Sequence, residues 1–272
     1  MIPRVGEAIV LRTWPFLEAD LLVSLFTRDQ GRIKGVARHA LRSRKRFGGA
    51  LEPMSYVRAS YAERPRQELV RLDAFEILSS PLSQPVDYAR TAALQLIAEV
   101  LEEALPEQAA EDTVFRLAVS ILAELQVNRI WLPVTYFCLW MNRLMGWMPE
   151  LGHCVVCGAP LRRGAPIEAA TGIGGGPVSG IGGGGPATRS GQVWYSATSD
   201  GVTCYDDRRP GSTPLSAAAV ETALRIFRGP IRDLAAEDWP PTRVPDLRHF
   251  AIETLERHLE HRLQSARALH RL

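Results

Sequence analysis

The tightest constraint on this chain is the crowding of β-type runs near its start. Segments rich in Ile, Val, Leu, Phe and Tyr occupy 7–12, 21–26, 32–37, 54–61 and 68–75, with a tight turn at Asp29-Gln30-Gly31 and another at Pro65. Short β-type runs bounded by turn residues read as strands, and the second and third form a hairpin. Five strands in under eighty residues leave no room for crossover helices. A small, closed or partly closed antiparallel barrel is therefore expected, of which the OB-fold is the common case.

After Ser79-Ser80-Pro81 the hydrophobic period lengthens to that of a helix. Leu94, Ile97, Ala98, Leu101 and Leu105 share one face, as do Val114, Ala118, Ile121, Leu122 and Leu125, and a third apolar helix is expected from Val134, just after Pro133, to Trp147. A short helix over 213–227, opened by Thr213-Pro214, and a long one over 245–269 should close the chain. Residues 172–191 hold ten glycines and no hydrophobic period, so a flexible insertion is expected there. The fold class is α+β: an OB-fold domain over 1–80, then a helical domain over 81–272.

The apolar fraction of 46% and charged fraction of 23% are those of an ordinary globular protein. No run reaches the roughly 18 uninterrupted apolar residues of a membrane span. Neither that nor the start of the chain suggests export, so a cytoplasmic location is expected.

The net charge of +2 conceals an asymmetry. Arg28, Arg32, Lys34, Arg38, Arg42, Arg44, Lys45 and Arg46 are opposed within their stretch only by Asp29. Cations at short repeat are what a phosphate backbone requires. Trp14, Phe16, Phe26, Phe47, Tyr56 and Tyr61 lie in the same segment and could stack on unpaired bases, although any one of them is more simply a core residue.

Cys154-Val155-Val156-Cys157-Gly158 is a knuckle able to present two thiolates to one metal. The further ligands should lie downstream, where Cys204 is followed at the same spacing by Asp207, a poorer zinc partner than a thiolate. His153 is adjacent to Cys154 and awkwardly placed to substitute. Structural zinc, a ribbon without metal and a redox cysteine pair are the competing readings. Cys138, inside an apolar helix, reads as a buried small residue. His258 and His261 are a turn apart but sit among charged residues, which favours solvation.

No phosphate-cradling Gly-x-x-x-x-Gly-Lys-Ser/Thr, no His-Glu-x-x-His and no deaminase-type zinc signature occurs. The expectation is a binding protein and not an enzyme. An RNA- or protein-interaction adaptor is the rival, and a metal-dependent hydrolase a weaker third.

Five segments together carry a family likeness: Ala8-Ile9-Val10-Leu11, Gly31 to Arg38, Leu51-Glu52-Pro53, the Cys154 knuckle and Leu255-Glu256-Arg257-His258-Leu259. In order and spacing they resemble RecO, the bacterial DNA repair and recombination mediator family. The resemblance implies an OB-fold, a helical domain and a zinc-ribbon-like element, here placed at 150–212. It implies binding of single- and double-stranded DNA, annealing, and loading of RecA, with RecR, onto DNA coated by single-strand-binding protein (SSB). By position it assigns DNA contact to Lys34, Arg38, Arg42, Arg44, Lys45 and Arg46, and zinc to Cys154, Cys157 and Cys204. Zinc-bearing members have a fourth cysteine where Asp207 stands, and some members carry no zinc.

Overall fold

The computed structural model describes residues 1–43, 45–63, 67–125, 129–161, 192–196, 200–269 and 271. The expected glycine-rich insertion, the Pro65 turn and Arg44 lie outside the described residues.

Five strands form a closed barrel: β1 (Ile2–Phe16), β2 (Asp20–Thr27), β3 (Gly31–Ala37), β4 (Tyr56–Glu63) and β5 (Leu69–Ser79), in the order β1-β2-β3-β5-β4. The long β1 closes the ring. Its first half pairs with β4 and its second with β2, with a register shift between Val10 and Arg12. A bulge bends one strand and increases its twist, which lets β1 serve both neighbours. The remaining gap is sealed by parallel pairing of Lys34 to Ala37 with Leu69 to Leu72. This is the OB arrangement expected from the strand spacing. Ile33, Leu25, Val57 and Leu72 fill the interior, and Phe47, Ala50 and Leu51 enter it from the β3–β4 connection.

The helical part comprises α1 (Tyr88–Ala104), α2 (Asp112–Leu125), α3 (Trp131–Leu144), α4 (Ala217–Ile226), α5 (Ile231–Leu234), α6 (Pro245–Leu259) and α7 (Gln264–Leu269). A small sheet of β6 (Val193–Tyr195), β7 (Val202–Thr203) and β8 (Thr213–Leu215) adjoins it, in the order β7-β6-β8. Helix α3 is buried over most of its surface, and Asn142 within it donates to Cys138 O and Ala251 O at 2.8 Å, tying α3 to α6. Barrel residues Ile9, Leu11, Phe26 and Met54 join the same core as the helices, and the Phe26 and Phe115 rings meet edge-on at 5.3 Å.

Three helix boundaries differ from the sequence expectation. Thr213-Pro214 does not open a helix. It lies in β8, at the sheet edge where a proline's missing N–H is tolerated, and Ser216 caps α4 by accepting from Ala219 N at 3.1 Å. The single helix expected over 245–269 is broken after Leu259, with Glu260 at φ 60°. Glu99 of α1 then caps α7 by accepting from Gln264 N and Ser265 N, each at 2.9 Å. The third helix starts earlier than expected, at Trp131, because Pro133 falls in a first turn whose N–H groups have no intrahelical acceptor.

Candidate nucleic-acid interface and metal centre

The cationic stretch divides into two groups. On the β2–β3 hairpin, Arg28 donates to Asp112 at 2.7 Å and Glu7 at 3.0 Å. Arg32 donates to Glu102 at 3.1 Å and to Leu105 O at 3.1 Å. Glu102 also accepts from Ser24 Oγ at 2.6 Å. Lys34 donates to Glu107 at 2.8 Å. All of these except the Arg28–Glu7 bond join the barrel to the helical part. The seam is so close that a Cβ on Gly31, at φ 67°, would meet Ala109 O at 1.8 Å. The hydrogen bond from Arg28 holds the Asp112 carboxyl below its usual range, and that from Lys34 does the same for Glu107. Lys34, expected to contact a polyanion, is thus ion-paired inside the molecule, and its acidic partner lies 73 residues away.

The second group surrounds the end of β3. His39 N donates to Asp20 Oδ1 at 2.8 Å and Leu41 N to Ala19 O at 3.2 Å, pinning a short 3₁₀ turn, Ala40–Arg42, against the β1–β2 turn. Arg46 donates to Arg38 O at 2.6 Å and to Ser43 Oγ at 3.1 Å, and its guanidinium lies 5.2 Å from the centroid of the Phe47 ring. Arg38, Arg42 and Lys45 are exposed and form no ion pair among the described residues.

Beside them runs a groove of about 730 Å³. Phe16 and Leu17 line it from the β1–β2 turn, Val36, Arg38 and His39 from the end of β3, and Gln67 to Arg71 from the start of β5. This is the side on which OB-folds bind oligonucleotides, between the β1–β2 and β4–β5 loops. Of the aromatics in this segment Phe26, Phe47 and Tyr61 are buried, whereas Phe16 is exposed at the groove. Leu17, at φ 56°, is 77% exposed beside it. The groove's contributors from the start of β5 were not among the expected site residues, because nothing in the sequence shows that a parallel pairing brings β5 beside β3.

The four expected metal ligands converge. One donor atom from each of Cys154, Cys157, Cys204 and Asp207 lies within 4.8 Å of the others. Cys154 and Cys204 Sγ are each 3.1 Å from Asp207 Oδ2, and the Cys157 and Cys204 sulfurs are 3.9 Å apart. Tetrahedral zinc with thiolates at about 2.3 Å separates its sulfurs by about 3.7 Å, so the donor set fits such an ion. The knuckle is closed by Gly158 N donating to Cys154 O at 2.9 Å, with Gly158 at φ 71°, and is tied to β7 by Val155 N donating to Val202 O at 2.9 Å. Hydrogen bonds from the thiols, Cys157 first, hold the Asp207 carboxyl low, and the same carboxylate pushes the Cys157 thiol up to about 12. His153 stays outside, 2.6 Å from Glu150.

The remaining histidine pair does not form a site. His258 stacks on Trp147 at 5.2 Å, while His261 lies beyond the end of α6, its Nδ1 3.0 Å from Leu259 O. Cys138 is fully buried as expected, and burial pushes its thiol up to about 12. No helix of the described residues is long and apolar enough to cross a membrane.

Residues 1–81 match the family model described as Recombination protein O N terminal, and residues 85–267 match Recombination protein O C terminal. The chain is 44% identical over 267 residues to the DNA repair protein RecO of Koribacter versatilis (strain Ellin345), covering 98% of each chain. It is 30% identical over 265 residues to the DNA repair protein RecO of Anaeromyxobacter sp. (strain K), covering 96% of this chain and 93% of that one.

Proposed function

The chain belongs to the RecO family of DNA repair proteins, and from that premise we propose that it binds single- and double-stranded DNA at the barrel groove and anneals complementary strands there. With RecR as partner it would help load RecA onto DNA coated by SSB. Its place is then the cytoplasm, with the nucleoid. The observation carrying this reading is the set of three exposed cations at and just beyond the end of β3, Arg38, Arg42 and Lys45, free of ion pairs among the described residues, of which Arg38 lines an OB groove edged by exposed Phe16. Arg46, next to Arg38, belongs with them, and Arg44, outside the described residues, belongs by sequence. Lys34 contributes to the seam instead.

The action is physical. Guanidinium and ammonium groups screen phosphate charge so that a second strand can approach the first, while exposed apolar groups at the groove offer surface to unpaired bases. No bond is made or broken, so the chain acts as a mediator and not as an enzyme. The division of labour follows residues 1–80 for the barrel and 81–272 for the helical part, with 150–212 as the ribbon-like element. Zinc held by Cys154, Cys157, Cys204 and Asp207 would be structural: four protein ligands leave no open position for chemistry.

Replacing Arg38, Arg42 and Lys45 together by Gln tests the DNA reading. Affinity for single strands should fall by about a hundredfold at low salt, and the log–log salt slope should shrink by about 2, near 0.7 per lost phosphate contact. An unchanged slope overturns it, and a parallel titration with RNA identifies an RNA adaptor. Metal analysis of the purified chain should find about one zinc, held more tightly in Asp207→Cys than in the native protein.

A further inference from the structure

We propose that the outer face of the β6–β7–β8 sheet is a second binding site for single-stranded DNA, a stacking platform formed by Trp194 and Tyr205 and edged by Arg208 and Arg209. The proposal rests on the reading above in taking DNA as the ligand, but it concerns a different surface.

Along β6, Val193 and Tyr195 are buried and Trp194 between them is not, so the strand's alternation turns the indole to the opposite face. The inner side is fully used: the Tyr195 ring packs edge-on to Phe250 at 4.8 Å. On the outer side Trp194 meets Tyr205 edge-on at 5.4 Å, and Tyr205 is 51% exposed. Arg208 lies over both rings, 3.5 Å from the Tyr205 centroid and 5.9 Å from that of Trp194, and is held there by donating to Tyr205 O at 2.6 Å. Beside the pair opens a crevice of about 250 Å³, reached by Arg209 and by Val155 and Val156 of the metal-site knuckle. Those two valines are 54% and 61% exposed.

An exposed Tyr205 ring beside a half-buried Trp194, exposed aliphatic groups and two arginines without ion pairs among the described residues are the chemistry of a surface for unpaired bases and their phosphates. The one carboxylate lining the crevice, Asp200, is an acceptor suited to exocyclic base amines. A second site on a separate element would let one molecule hold two stretches of strand at once.

The test uses the full-length chain with its metal content verified. Fluorescence anisotropy is measured with oligo-dT of about 8 nucleotides, within the span of one OB groove, and of about 30, long enough to reach further. Tyr205→Ala with Arg209→Gln should weaken binding of the long oligonucleotide by about tenfold and leave the short one unchanged, whereas Tyr205→Phe should bind both like the native chain. Equal binding of the long oligonucleotide by variant and native protein overturns the proposal. If Tyr205→Ala loses metal or folds poorly, Arg209→Gln alone decides, since a salt slope smaller by about 0.7 supports the site and an unchanged slope refutes it. The Arg38, Arg42 and Lys45 variant reports on the barrel groove independently, so failure of one site is not mistaken for failure of the other.

Discussion

The basic stretch from Arg28 to Arg46 is continuous in sequence but divided in space. Its first half, Arg28, Arg32 and Lys34, faces the helices and is answered there by Asp112, Glu102 and Glu107. Its second half, on the β3–β4 connection, keeps Arg38, Arg42 and Lys45 without acidic partners among the described residues. A local charge excess therefore has two separate uses. One joins two bodies of the protein. The other is left for a ligand.

The largest effect should come from the seam itself. Gly31→Ala places a methyl group on backbone atoms of Ala109, at a positive φ, and should destabilise the fold by about 3 kcal/mol or more in urea unfolding. A change under about 1 kcal/mol would show that the seam is loose. Next is Arg32→Met, which leaves Glu102 with only its hydrogen bond from Ser24 Oγ, the Arg32 and Glu102 side chains being 14% and 10% exposed. Its loss should be about 2 kcal/mol, less than for a fully buried pair, with DNA affinity nearly unchanged. Arg42→Ala should invert that pattern, leaving stability within about 0.5 kcal/mol while single-strand affinity falls about fivefold at low salt.

The smallest effect belongs to Lys34→Gln. Its partner Glu107 is half exposed, so about 0.2–1 kcal/mol is expected, and the DNA salt slope should not move. The sign with pH is fixed. Lys34 holds the folded Glu107 carboxyl below its ordinary 4.5, so the pair stabilises fully above that value and fades as pH falls through the lowered one. Native and variant curves that stay apart at the acid end would assign the difference to something other than this pair.

Much of this architecture is legible in the sequence, because its signals are local. A β-type apolar run over 21–26 and the alternation along 32–37, joined by Asp29-Gln30-Gly31, mark a hairpin, and Cys154-x-x-Cys157 with Cys204-x-x-Asp207 marks two half-sites that the fold brings together. What is not legible depends on distant partners. The acids of the helical part that take up Arg28, Arg32 and Lys34 lie 70 to 84 residues downstream. The break after Leu259 is likewise invisible: the Leu255, Leu259, Leu263 spacing continues across it, while the cap on α7 comes from Glu99, 165 residues before Gln264. Thr213-Pro214 has the look of a helix start, and only the neighbouring strand makes it an edge.

Closure of the barrel restricts how other macromolecules can engage it. Every strand has a neighbour on each side somewhere along its length, so single-paired backbone among the described strands of the barrel is confined to short stretches, among them Ile2 to Gly6, which pair with β4 alone, Arg12 to Phe16 with β2 alone, and β5 beyond Leu72 with β4 alone. The other edges among the described strands, β7 and β8, are two and three residues long, too short to template such an addition. Away from those stretches, whatever assembles on this surface is gripped through side chains, and a point substitution can then remove one contact without disturbing the framework beneath it.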